Sequence, residues 1–351
     1  LSFIKDSFSL DPSQLTFDQL YVDQQQIEVS GTRSRIAYVD QNALGRNDGS
    51  SWANAFTDLA NALNAPLSID EIWVASGTYF PGTVRSSTFA LPPGIPVYGG
   101  FAGDEENRES RSPLNNETIL SGDLGVLGSM EDNAYHVVTV AEGSHLDGFV
   151  VRDGYANKNI TNDFRGKGGG LLADGAGFTV ANCRFLSNQS FQGGSAVFLN
   201  DSNGTFIDCV FSDNQTDSSG SGGAVFIEDS YAQFQSCLFD KNYAHFYGGA
   251  IHSTSSSLSL DQSTFTENQS LTSNGGGALY AEKGSISITS SSFSSNRSIF
   301  DGGAILAFDL SAVIEDTNFT ANVNSVSNGG GAIHFSSVTG SITRSRFIEN
   351  V

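Results

Sequence analysis

The sequence predicts an all-β fold, a right-handed parallel β-helix with three short strands per rung and an N-terminal capping helix. Two recurrences and their spacing predict it. Phe-x-x-Asn returns seven times, at Phe185-Asn188, Phe211-Asn214, Phe239-Asn242, Phe265-Asn268, Phe293-Asn296, Phe319-Asn322 and Phe347-Asn350. Gly-Gly-Ala-aliphatic precedes the last five, from Gly222-Gly223-Ala224-Val225 to Gly330-Gly331-Ala332-Ile333, with the variants Gly168–Leu171 and Gly194–Val197 before the first two. The Ala position always lies 15 residues before the Phe, whereas successive Phe are alternately 26 and 28 apart. The two extra residues fall between the Asn and the next Gly-Gly, so every second turn is longer. Repeats of this period signal a solenoid, in which each unit buries its apolar face only against its neighbours.

Residues 1–35 are polar and rich in Gln and Asp, and are expected to form an extended strap or linker. Residues 36–351 are expected to form the β-helix, with 36–167 as capped, irregular N-terminal rungs. Ile36–Asp40 reads as a strand and Asn47–Ser50 as a turn. Trp52, Phe56, Leu59 and Leu63 recur at helical spacing across Ser51–Asn64, and Pro66 would end that helix, a plug for the open end of the core. Glu71–Tyr79, Val137–Val140 and Phe149–Val151 are further strands, and Tyr155–Gly166 interrupts the pattern as a long loop. From 168 to 351 seven regular rungs follow. Val180, Phe206, Phe234, Leu260, Ile288, Ile314 and Ile342 stand five residues before each Phe, and Cys183, Cys209, Cys237, Ser263, Ser291, Thr317 and Ser345 stand two before it. The alternation has period two, which makes strands. Equivalent residues would stack at about 4.8 Å into ladders. Asn at the turn can donate to one neighbour and accept from the other.

The N-terminal half resembles the opening of bacterial secreted right-handed β-helix repeat proteins. The likeness rests on Tyr38-Val39-Asp40, Asp48-Gly49-Ser50-Ser51-Trp52-Ala53-Asn54-Ala55-Phe56, Ile72-Trp73-Val74-Ala75 with Gly77-Thr78-Tyr79, and Tyr98-Gly99-Gly100-Phe101. The Gly-Gly-Ala-aliphatic and Phe-x-x-Asn repeats are similar to those in the passengers of chlamydial polymorphic membrane proteins. This resemblance implies a secreted or surface-displayed β-helix with a part in adhesion.

Charge and composition narrow the function. The chain has 351 residues, with 17 Lys and Arg against 38 Asp and Glu, a formal net charge of −21. That argues against nucleic acid and anionic membranes as partners. No apolar run of membrane-spanning length is present. The start at Leu1, without Met, and the stop at Val351, just after a ladder Asn, lead us to expect a piece of a longer protein whose solenoid continues. The three Cys share one ladder position that later holds Ser and Thr, which favours small buried thiols. No cofactor is expected; calcium is the ion the acidity would admit. The Asn-x-Ser/Thr triplets at Asn188, Asn214, Asn268 and Asn296 are by-products of the repeat, since those Asn should point inward.

No catalytic residue is assigned. Arg152-Asp153, Asp163 with Arg165, Asp174, and the loop from Asp104 to Arg111 carry charge, without a Ser-His-Asp order, a phosphate loop or a zinc motif. The residue after each inward aliphatic should face outward: Leu172, Phe198, Phe226, His252, Tyr280, Leu306 and His334. Of these, Phe198, Phe226, His252, Tyr280 and His334 are the expected partner-binding residues, unless a loop or the strap covers them. The expected function is non-enzymatic: adhesion or surface structure outside the cell, with a glycan or protein partner or with self-association. The alternatives are a polysaccharide lyase, hydrolase or epimerase acting on an acidic glycan, and a building block of a surface filament or layer.

Overall fold

The computed structural model describes residues 35–65, 68–159, 163–271, 275–325 and 329–351. The expected strap over 1–35 lies outside them, apart from Arg35. One rung shows why the chain coils. From Val225 come four short strands, Val225–Glu228, Tyr231–Gln235, Leu238–Asp240 and Tyr243–Ala244. Each pairs in parallel with its counterpart one repeat away, so that Phe239 lies between Phe211 and Phe265. Among the described residues the strands gather into three sheets of 17, 10 and 7 members, in keeping with the expected three-sided rung. The first two strands of each rung share the largest sheet. In three rungs they fuse into 11-residue strands, Ile251–Asp261, Leu279–Thr289 and Ile305–Glu315, and in the last they part again into Ile333–Ser336 and Thr339–Thr343.

Between strands the chain turns a corner on one residue with positive φ. Gly222, Gly248, Gly276 and Gly302, each the first Gly of its Gly-Gly, do this, with φ of 63° and 59° at the first two. Most of the other corners use residues other than Gly. Asp201, Asp229, Ser255, Lys283, Asp309 and Ser337 form one column, and Ser187, Asp213, Lys241, Glu267, Ser295, Ala321 and Glu349 another, all with φ between 46° and 56°. A third column runs from Asn182 to Arg344. A left-handed conformation costs an L-residue roughly 1–2 kcal/mol, and the small side chain after the corner offsets part of it. Cys237 N–H donates to Ser263 Oγ at 3.2 Å, and Ser263 N–H to Ser291 Oγ at 3.1 Å.

Inside, the Phe rings stack, with centroids 4.5 Å apart for both Phe239–Phe265 and Phe265–Phe293. The Asn side chains from Asn188 to Asn322 are fully buried. Each bonds the next: Asn242 Nδ2 donates to Asn268 Oδ1 at 3.0 Å and to Phe211 O at 2.8 Å. The three Cys are free and buried.

At the N-terminal end the expected helix is present but broken. A 3-10 turn spans Trp52–Asn54 and a five-residue helix Leu59–Leu63, capped by Asp58. Between them Phe56 joins the first strand: its N–H donates to Tyr38 O at 2.8 Å and its carbonyl accepts from Asp40 N–H at 2.9 Å. That pairing is incompatible with one continuous helix over Ser51–Asn64. Leu59 and Ala62 still seal the core, while Trp52 joins Tyr38, Trp73, Tyr98 and Phe101 in an aromatic cluster on the outer face.

Candidate functional site

The ladder expected to be a contact surface is covered. In Val225-Phe226-Ile227 the aliphatic neighbours face the core and Phe226 faces outward, as the alternation requires. Yet Phe198 is 0%, Phe226 8%, His252 8% and Tyr280 7% exposed; only His334 is half-exposed among the five. Two things roof the ladder. The Gly-rich turn of one rung lies on the ladder side chain of the next, so that a Cβ at Gly193 would come within 2.9 Å of the Phe226 ring. The long loop lays Phe164 on Phe198, centroids 5.5 Å apart, and sets Lys167 Nζ 4.3 Å from the Phe198 ring centre and 4.7 Å from that of Phe226. Further along, Tyr247 covers His252 and Tyr280. His252 stacks on Phe226 at 4.5 Å, and among the described residues neither ring nitrogen has a hydrogen-bond partner. Burial, with Lys167 adding to it, pushes its pKa down to about 3. His334 Nδ1 faces Asp301 Oδ1 at 3.0 Å.

Two residues beyond the covered ladder runs a polar column that sequence reasoning missed. Asp174, Asn200, Glu228, Thr254 and Glu282 stand in register on successive rungs. Asn200 Nδ2 donates to Asp174 Oδ1 at 2.7 Å, and Thr254 Oγ1 to Glu282 Oε1 at 3.1 Å. The strand period was the available signal, because these residues share the outward phase of Phe226. The column opens into a cleft of about 310 Å³ lined by Asp163, Phe164, Lys167, Gln192, Asn200, Glu228 and Asp229. Lys167 Nζ lies 2.8 Å from Glu228 Oε2, which ties the loop to the column. Carboxylates, carboxamides, one ammonium and a phenyl ring thus converge, a set able to bond vicinal hydroxyls and stack on a sugar face.

The other charged segments are bonded to the chain around them. Arg152 and Asp153 pair at 3.1 Å, and Asp153 also accepts from Ser121 Oγ at 2.9 Å. The Glu105 carboxylate accepts from the N–H groups of Ala102, Gly103 and Asp104, which closes its own loop. Arg111 pairs with Asp147 at 2.8 Å, Asn182 Nδ2 donates to Asp147 at 2.9 Å, and His145 Nε2 lies 3.7 Å from it. Although burial opposes it, these partners hold the Asp147 carboxyl below the usual range. Among the described residues no group of three or more His, Cys, Asp or Glu converges as a metal site would, and no helix is long and apolar enough to cross a membrane.

The family described as the right-handed beta helix region matches residues 128–269, and the Chlamydia polymorphic membrane protein repeat matches residues 262–282. No curated protein matches the chain. Among solved structures, the pectin methylesterase from Aspergillus niger is similar at 14% identity and a TM-score of 0.40, over 89% of this chain and 87% of that one. That likeness is too distant to bear on function. The chain is a right-handed parallel β-helix that carries a stretch similar to the chlamydial polymorphic membrane protein repeat.

Proposed function

We propose that this chain is a surface-type adhesion module that binds a glycan without catalysis, along the polar column and in the cleft beside it. The fold and the repeat match point to a surface or secreted setting. The observation that carries the reading is the register of Asp174, Asn200, Glu228, Thr254 and Glu282. A ladder of hydrogen-bonding groups repeating at about 4.8 Å suits a long, repetitive partner better than a small metabolite. Printed glycan arrays probed with the folded protein test it. Asn200→Ala with Asp229→Ala should keep the fold, since neither side chain enters the core, and should weaken binding about tenfold through lost hydrogen bonds. A variant that binds every array hit as the parent does would exclude the cleft.

A second reading, a polysaccharide lyase, hydrolase or epimerase, is favoured by one observation: the ionised Asp147 beside His145 and Arg111. Incubation of acidic polysaccharides with the protein, followed by end-group and unsaturated-product assays, decides it. Turnover abolished by Asp147→Asn would replace the adhesion reading.

A further inference from the structure

We propose an anion subsite at the root of the long loop, formed by Lys158 and Arg165 beside Tyr135, which takes the carboxylate or sulfate of an acidic sugar. It rests on the glycan reading above and names the class of glycan. The chain has only 17 basic residues and a net charge of −21, yet three cations gather round one ring. Arg85 Cζ lies 4.2 Å from the Tyr135 ring centre, and Lys158 Nζ and Arg165 Cζ each lie 5.6 Å from it.

The three cations have different duties. Arg85 is spent on the fold: its Nε donates to Asn133 O at 2.7 Å, and its Nη2 to Tyr155 O at 2.9 Å and Asn157 Oδ1 at 3.0 Å. It thereby pins the arm that carries Lys158. Arg165 pairs with Asp163, which it holds down to about pKa 2, so this carboxylate stays charged and matched. Lys158 has no ion pair among the described residues, and its ammonium faces the Tyr135 ring. Lys158 N–H donates to Arg165 O at 3.0 Å, so the two cations stand on facing stretches of backbone. The cluster sets three cations round one ring, with Asp163 paired to Arg165. Asp163 also lines the cleft, which places the cluster at the cleft's edge.

This arrangement selects for spacing of charge. A densely charged polyanion such as nucleic acid would meet the −21 background everywhere else. A glycan with a single oxyanion set among neutral hydroxyls would place that oxyanion at Lys158 and its hydroxyls against the column. Charge-assisted bonds of this kind are about twice as strong as neutral ones.

Calorimetric titration with three probes tests the proposal: a glucuronic acid oligosaccharide, its methyl ester, and a sulfated glucose oligosaccharide. The expected result is binding of at least one acidic probe about tenfold more tightly than the ester, with the gap closing as salt rises. Which acidic probe binds identifies the anion as carboxylate or sulfate. Lys158→Gln should remove most of the preference and leave ester binding unchanged, and Lys158→Arg should restore it. Equal binding of acid and ester, with Lys158→Gln indifferent, would overturn the subsite and leave the glycan reading standing. Failure of all three probes, together with an empty glycan array, would overturn both.

Discussion

Asn268 accepts through Oδ1 from the N–H and Nδ2 of Asn242, both at 3.0 Å, and donates through Nδ2 to Phe239 O at 2.9 Å and Asn296 Oδ1 at 2.9 Å. Its replacement by Leu strands buried groups on two neighbouring rungs, each of which costs roughly 1–3 kcal/mol when unpaired. Asn268→Leu should therefore lower the urea midpoint far more than a surface change does, and an unchanged midpoint would remove the ladder from the list of stabilising features. His252 gives a second effect, and it depends on pH. Folded, its ring stays neutral down to about pH 3 because it is buried beside Lys167, Tyr247 and Tyr280, the last of which bonds Glu282. Unfolded, it takes a proton near its ordinary pKa of about 6.5. Below that value the unfolded state binds more protons, so stability falls as pH drops from about 6.5 towards 3, by up to about 1.4 kcal/mol per pH unit. The loss is absent above pH 6.5. Replacing His252 by Phe, which can stack on Phe226 in the same way, should flatten that limb of the curve. Parallel slopes for parent and variant between pH 6 and pH 4 would show that the buried ring contributes nothing.

The Gly-Gly turns and the long loop decide what the outward ladder can do. Read from sequence, Phe226 and Tyr280 face water, and their replacement by Ser would spare the fold. Roofed as they are, at 8% and 7% exposure, Phe226→Ser or Tyr280→Ser should instead cost about 2–4 kcal/mol by opening a cavity. Unchanged melting would mean the roof lifts in solution. The inward ladders were legible because period-two alternation and a fixed 15-residue spacing from Ala to Phe determine phase and register. Whether a loop covered the outward ladder stayed open in the sequence, because cover depends on the path of turns whose residues carry no apolar pattern. For the same reason the polar column of Asn200, Glu228 and Thr254 drew no notice: its members differ in type, and only the coiled chain brings them into line. The helix over Ser51–Asn64 was overdrawn because Phe56 keeps helical spacing while its backbone pairs with Tyr38. The corners were likewise unread, since Asp, Ser, Lys, Glu and Ala all occupy them. Ala321, at φ 53°, bears a left-handed corner without a side-chain bond to compensate. Ala321→Gly should stabilise by up to about 1 kcal/mol, the left-handed penalty less the entropy of Gly. Destabilisation would mean the corner is unstrained.

On the scale of the whole molecule, the ladders make stability a nearest-neighbour property. Every strand pairing among the regular rungs joins one repeat to the next, as Phe211 to Phe239 and Phe239 to Phe265. In such a stack a defect weakens its own interfaces first and distant rungs less. The Cys ladder supplies three reporters on successive rungs. All three thiols are free and buried, and burial pushes Cys183 up to about 12 and raises Cys209 as well. Alkylation therefore waits for each rung to open. Phe265→Ala removes a ring that stacks on Phe239, in the rung of Cys237, at a cost of roughly 3–5 kcal/mol. Timed alkylation read by peptide mass spectrometry should find Cys237 accelerated most, Cys209 less and Cys183 least. The denatured, unreduced chain should return all three thiols. Equal acceleration at the three positions would show that the solenoid opens as one cooperative body, and the nearest-neighbour account would have to be given up.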